Sequence, residues 1–142
     1  MSDNLLKNTD ASGVFHLVTS RQSTIEKAAR HARFCVIKVG IDTCVSTQDV
    51  LLQLGTALNF PIWYGANFDA LHDCLTDPDW EPAKGHVLLI NGLGCLRSSD
   101  PADFATLIEV FQSAAEARRT MGTPFWVLID APARGVPTLT EA

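Results

Sequence analysis

No apolar run in this 142-residue chain approaches the ~20 residues needed to span a bilayer, so a transmembrane helix is not expected. The opening Met1-Ser2-Asp3-Asn4-Leu5-Leu6-Lys7 has acid where a secretory signal is basic, and it lacks a long apolar core. A cytoplasmic protein is the expectation. The cysteines are few and scattered: Cys35, Cys44, Cys74 and Cys95 make no C-x-x-C pair, so reduced, mostly buried thiols are expected. The histidines His16, His31, His72 and His86 are equally dispersed, which argues against a metal centre. Nothing in the chain reads as G-x-G-x-x-G, a Walker loop or G-x-S-x-G, so nucleotide cofactors and serine hydrolase chemistry lose their usual markers. Asp77, Asp79 and Glu81 are spaced like calcium ligands, but the glycine and terminal glutamate of an EF-hand loop are missing. No cofactor is expected.

The most informative absence is basic charge in the middle third. Residues 39–83 hold no Lys or Arg against seven acids: Asp42, Asp49, Asp69, Asp73, Asp77, Asp79 and Glu81. Residues 1–38 hold six basic residues against three acids, and 84–142 hold five against six. A block of this sign does not neutralise phosphates, which argues against direct nucleic-acid binding. It suits a partner with a basic cleft, and enzymes that handle a polyanion have such clefts. The bland alternative is that acidic surface merely aids solubility.

What is present is a globular composition, 46% hydrophobic and 19% charged, long enough for one domain with a buried core. Residues 1–12 are polar and without a period, so a flexible segment is expected there, and 132–142, with little to bury, read as a flexible tail. Between them, 13–131 read as one domain of alternating strands and helices. Val14–Val18 is a short strand. Ser23-Thr24-Ile25-Glu26 matches a capping box and opens a helix to Ala32, with Ile25, Ala28, Ala29 and Ala32 inward. Phe34–Val39 is a strand. Ser46 or Thr47 caps a helix whose stripe is Val50, Leu51, Leu54 and Leu58. Gly85–Asn91 is a buried strand, with His86 at its mouth read as structural, and Gly92–Ser99 is a loop. Asp100 and Pro101 open a helix with Phe104, Leu107, Ile108, Phe111 and Ala115 inward. Arg118 and Arg119 sit in its last turn and Gly122 stops it. Pro124–Asp130 is a central strand. The alternation predicts an α/β fold with a small parallel sheet packed with helices.

One stretch stands apart: Phe60-Pro61-Ile62-Trp63-Tyr64-Gly65-Ala66-Asn67-Phe68-Asp69-Ala70-Leu71-His72-Asp73-Cys74-Leu75. Pro61 and Gly65 punctuate a loop, and Asn67 is a natural N-cap. Phe68, Leu71 and Leu75 fall at i, i+3 and i+7 and form a buried stripe. Asp69 and Asp73, at i and i+4, share an exposed face, where like charges on neighbouring turns repel by ~0.2–0.5 kcal/mol. Asp69 sits in the first turn, where the helix dipole favours an acid, but Asp73 does not. No cation lies along this helix to pair with either.

The run W-Y-G-A-N-F-D-A-L-H-D-C-L-T resembles the binding loop and helix of the barstar family, intracellular inhibitors of barnase-type ribonucleases. A weaker resemblance extends from about Phe34 to Asp130. It implies a three-stranded parallel core, here extended by the N-terminal strand and helix. It also implies that Trp63, Tyr64, Gly65, Asn67, Asp69, His72, Asp73 and Thr76 lie on a partner-binding surface, with the two aspartates standing in for substrate phosphates. The implied partner is a ribonuclease of the extracellular or toxin type, met by a monomer. Two positions depart from the family: His72 stands where barstar has a tryptophan, and Ser113 where it has an interfacial glutamate. Trp80, flanked by acids, reads either as an interface anchor or as a lid on the core. A barstar-like module for a different toxin or a regulatory partner remains the alternative. An enzyme using Asp69 and Asp73 as acid and base, or Cys74 beside His72 as nucleophile, is disfavoured, because Cys74 points toward packing.

Overall fold

In the computed structural model, which describes residues 2–42 and 46–139, strands and helices alternate almost from the first residue. In chain order they are α1 (Ser2–Lys7), β1 (Val14–His16), α2 (Gln22–His31), β2 (Cys35–Gly40), α3 (Thr47–Ala57), α4 (Phe68–Thr76), β3 (His86–Asn91), α5 (Gly94–Ser99), α6 (Pro101–Thr120) and β4 (Phe125–Ile129). The strands form one sheet in the order β1-β4-β3-β2, and every pairing is parallel. The α/β expectation holds, and the added strand lies on the free edge of β4.

β3 and β4 explain why the sheet is covered twice. Their sequences, HVLLIN and FWVLI, are apolar without interruption and buried along almost their whole length, the pattern of strands sandwiched between two layers. Successive side chains alternate between faces. Leu88, Ile90, Phe125, Val127 and Ile129 join a core built with α3, α4, α5 and α6. Val87, Leu89, Trp126 and Leu128 join a second core with Leu6, Leu17, Ile25, Ala28, Ala29 and Phe34. The first thirty-odd residues therefore supply most of the cover for one face of the sheet as well as an edge strand.

Several sequence expectations need correction. The 1–12 segment is not loose throughout: Leu6 is fully buried and its carbonyl accepts from Trp126 Nε1 at 3.0 Å. The stretch after β4 is likewise held as far as residue 139. Leu139 is buried, its N–H donates to His16 O at 2.8 Å, and Arg21 Nη1 donates to Leu139 O at 2.9 Å. One leucine among prolines is a weak sequence signal, yet it fills the end of the second core.

The capping box at Ser23 does not form. A 3-10 turn at Thr19–Arg21 feeds straight into α2, which leaves Ser23 inside the helix. Glu26 bonds Arg30 at 2.8 and 3.1 Å and lies 3.3 Å from Lys38 Nζ; these two cations, one turn on and on β2, replace the backbone N–H as its partners. The loop read over Gly92–Ser99 contains α5. Gly92 makes the turn into it at φ +96°, with the Ile41 carbonyl so close that a Cβ would collide. Cys35 and Cys74 carry free thiols, but Cys95, exposed on α5, is disulfide-bonded, which overturns the reduced-thiol expectation at that residue. Cys44 lies outside the described residues.

Candidate partner-binding surface

The loop between α3 and α4 is fastened by its aromatic residues. Asn59 takes a left-handed conformation at φ 57°, which ends α3 and turns the chain. Phe60 N–H donates back to Gly55 O at 3.0 Å. The Tyr64 ring lies on Gly55, where a Cβ would come within 2.5 Å of it, and its hydroxyl donates to Leu51 O at 2.9 Å. Phe60 sits edge-on to Tyr64 at 4.9 Å and 5.9 Å from Trp80. Trp80 Nε1 in turn donates to Leu58 O at 2.8 Å. Trp80 is thus a lid on the core, 7% exposed, and not a free anchor.

These contacts leave Ile62 and Trp63 standing out from the loop, Ile62 fully exposed and Trp63 59% exposed. Tyr64, the next residue, is held against α3, and burial pushes its phenol well above the usual range. Gly65 is exposed, and a Cβ there would lie 3.1 Å from the Asn67 side chain; the left-handed residue of the turn is Ala66, φ 51°.

α4 follows the sequence reading closely. Ala70 N–H donates to Asn67 Oδ1 at 2.7 Å, so Asn67 is the cap. Leu71, Cys74 and Leu75 point into the core, while Phe68, expected in the same buried stripe, is only half-buried because it opens onto the groove toward α6, and Asp69 and Asp73 are exposed. Among the described residues neither aspartate has an ion-pair partner. Burial, then Asp73 and Asp77, push the Cys74 thiol up, so it is no ready nucleophile. The Thr76 hydroxyl is used within the helix, donating to His72 O at 2.8 Å.

Between α4 and α6 lies an open cleft of about 490 Å³, lined by Phe68, Asp69, His72, Asp73, Thr106, Glu109, Val110 and Ser113. Three carboxylates therefore face one concavity floored by Phe68 and Val110. His72 Nε2 and Ser113 Oγ share a hydrogen bond of 3.0 Å across it. The two positions that depart from the family pattern are thus in direct contact. A second hollow, about 480 Å³, is lined by Trp63, with Asp77, Asp79 and Glu81 also on its walls.

Sequence reasoning missed the residue that fixes this second rim. Arg118 was read only as a cation suited to a helix end. It is 4% exposed, donates from Nε to Leu75 O at 2.9 Å and from Nη2 to Asp77 O at 2.8 Å, and lies 5.7 Å from the Trp80 ring centre. It clamps the end of α4 to the acidic segment. His86, structural as expected, stacks on Trp80 at 5.2 Å and donates from Nε2 to Glu81 O at 2.6 Å, while its Nδ1 is buried without a partner. Burial above all holds its pKa below the usual value, with the nearby Arg118 adding to the effect and the Glu81 hydrogen bond opposing it.

A family model described as Barstar (barnase inhibitor) matches residues 34–130, well over half of the chain. The chain belongs to the barstar family. Among curated proteins, none matches it. The barstar match runs from Phe34, just before β2, to Asp130, just after β4, and so contains the α3–α4 loop, α4 and the facing side of α6. It leaves out α1, β1 and α2. Among the described residues no helix is long and apolar enough to cross a membrane, and no group of three or more His, Cys, Asp or Glu is placed to hold a metal ion. Barstar proteins are named as inhibitors, which gives this chain an inhibitor-like role in general terms.

Proposed function

We propose that the protein inhibits a barnase-like ribonuclease by seating its α3–α4 loop and α4 in the basic active-site cleft of the enzyme. The carrying observation is the pair Asp69 and Asp73, exposed on one helix face and without ion-pair partners among the described residues. Two such charges are kept apart from their own chain's cations, and a partner's Arg, Lys or His satisfies them. Glu109 adds a third carboxylate from α6. Trp63 supplies apolar area beside them, and Gly65, open on its outer side, lets the partner's backbone approach. Asn67, Tyr64 and Thr76 act by holding this surface, since their polar groups are engaged within it.

Stoichiometric loss of RNA cleavage when the protein is titrated into a barnase-type ribonuclease, weakening as salt rises, is the expected result. Full cleavage in the presence of folded protein in excess would sink this reading. A second reading, a partner other than a barnase-type nuclease, is supported by the His72–Ser113 bond. It puts a short polar bridge where the family resemblance implies a tryptophan and a glutamate. Capture by the wild type, but not by Asp69→Ala/Asp73→Ala, of a basic protein without ribonuclease activity, together with no inhibition of a barnase-type ribonuclease, would favour the second.

A further inference from the structure

Opposite the acidic segment in charge lies a groove of about 510 Å³ at the edge where β2, β3 and β4 begin. Lys7, His31, Arg33 and Lys84 line it, with Phe34 and Pro124 among its apolar walls, and no acid lines it among the described residues. The four basic side chains come from four different places: the end of α1, the end of α2, the turn after it and the approach to β3. Lys7, Arg33 and Lys84 make no side-chain hydrogen bond or ion pair among the described residues. Helix dipoles account for cations at the ends of α1 and α2, but not for Arg33 and Lys84, which lie outside helices.

Arg33 carries a second, independent signal. It follows the C-cap of α2 at φ 65°, and the next N–H, of Phe34, closes back to Ala29 O at 2.9 Å. This is the left-handed helix-stop position where glycine is the favoured residue. Arginine there costs backbone energy that glycine would not, as the left-handed Asn59 does at the end of α3. Three of the four basic residues also lie before residue 34, outside the stretch that matches the family.

We propose that this groove is an anion site that takes a small phosphate-bearing ligand, supplied jointly by the N-terminal unit and the family core. Lys7, Arg33 and Lys84 reach one concavity from three different places in the chain, and no acid lines it among the described residues. The site stands apart from the α4 surface and does not depend on the inhibitor reading.

The test is a nuclear magnetic resonance titration of the full chain with inorganic pyrophosphate and, separately, with ATP. The backbone amides of Gly85 and Gly122 report the groove, and those of Asp69 and Asp73 serve as a remote control. Saturable shifts at Gly85 and Gly122 that weaken with salt are expected for both ligands. Equal affinities would mean that phosphate alone is read; tighter binding of ATP would mean that the apolar wall takes the base. Lys84→Gln should weaken binding about five-fold, the scale of one lost charge contact at a solvated site. Arg33→Gly should weaken it similarly while the melting temperature holds or rises, an opposition that a purely structural role would not produce. Absence of saturable shifts in the millimolar range, or undiminished binding by Arg33→Gly/Lys84→Gln, would overturn the assignment.

Discussion

Asp73 does two things badly for its own helix: it repels Asp69 and lies beyond the first turn, where the dipole would reward it. Its removal should therefore leave the fold intact. Asp73→Ala is expected to change stability by only about ±0.5 kcal/mol in urea unfolding while abolishing nuclease inhibition. Retained inhibition would remove the carboxylate argument. His86 gives a prediction of the opposite kind, on stability alone. Its folded pKa lies below the ordinary 6.5 because the ring is buried. Above that pH both folded and unfolded rings are neutral and no stability is lost. As pH falls through about 6.5 the unfolded chain takes the proton first, so stability declines until the folded pKa has been passed. His86→Gln should flatten that decline relative to wild type when unfolding is followed between neutral and mildly acidic pH. At this scale the sequence was informative for groups whose partners are near in the chain, such as Asn67 capping Ala70. It was silent on Arg118, whose acceptors Leu75 and Asp77 lie more than forty residues away.

The elements were legible where periodicity was strong. The stripe of Val50, Leu51, Leu54 and Leu58 and that of Leu71 and Leu75 lie in the core as read. α5 was not legible, because Gly92 and Gly94 punctuate the start of a stretch too short to show a period and too rich in turn residues. The capping box failed through competition by Arg30 and Lys38, the second of which belongs to another element. Two predictions belong here. Leu71→Ala empties a fully buried position and should cost ~2–5 kcal/mol, seen as a lowered denaturation midpoint. Gly55→Ala places a methyl 2.5 Å from the Tyr64 ring, and overpacking of this kind costs typically ~1–3 kcal/mol. Because Tyr64 fastens the loop that carries its chain neighbour Trp63, inhibition should weaken as well, although Gly55 lies in α3 and outside the surface that meets the partner.

For the molecule as a whole, the added N-terminal unit serves the sheet before it serves any ligand. Val87, Leu89, Trp126 and Leu128 face Leu6, Leu17, Ile25 and Phe34. A chain begun at residue 34 would present that apolar face to water and should self-associate, which size-exclusion chromatography would detect as loss of the monomer peak. A well-behaved monomer from such a truncation would show that the second layer is dispensable. The sequence indicated an added strand and helix but not that they close a second core. The two burial faces are interleaved residue by residue in β3 and β4, so a wholly apolar strand does not say which neighbour covers which side.

The interleaving has a practical outcome. α2 and the acidic α4 rest on opposite faces of one sheet, through alternate side chains of the same two strands. A fluorophore or a surface tether attached to an exposed residue of α2, such as Lys27, would leave the α3–α4 side unobstructed. The protein could thus be immobilised by its back and offered to candidate nucleases from the front, so that an orientation artefact would not be mistaken for failure to bind.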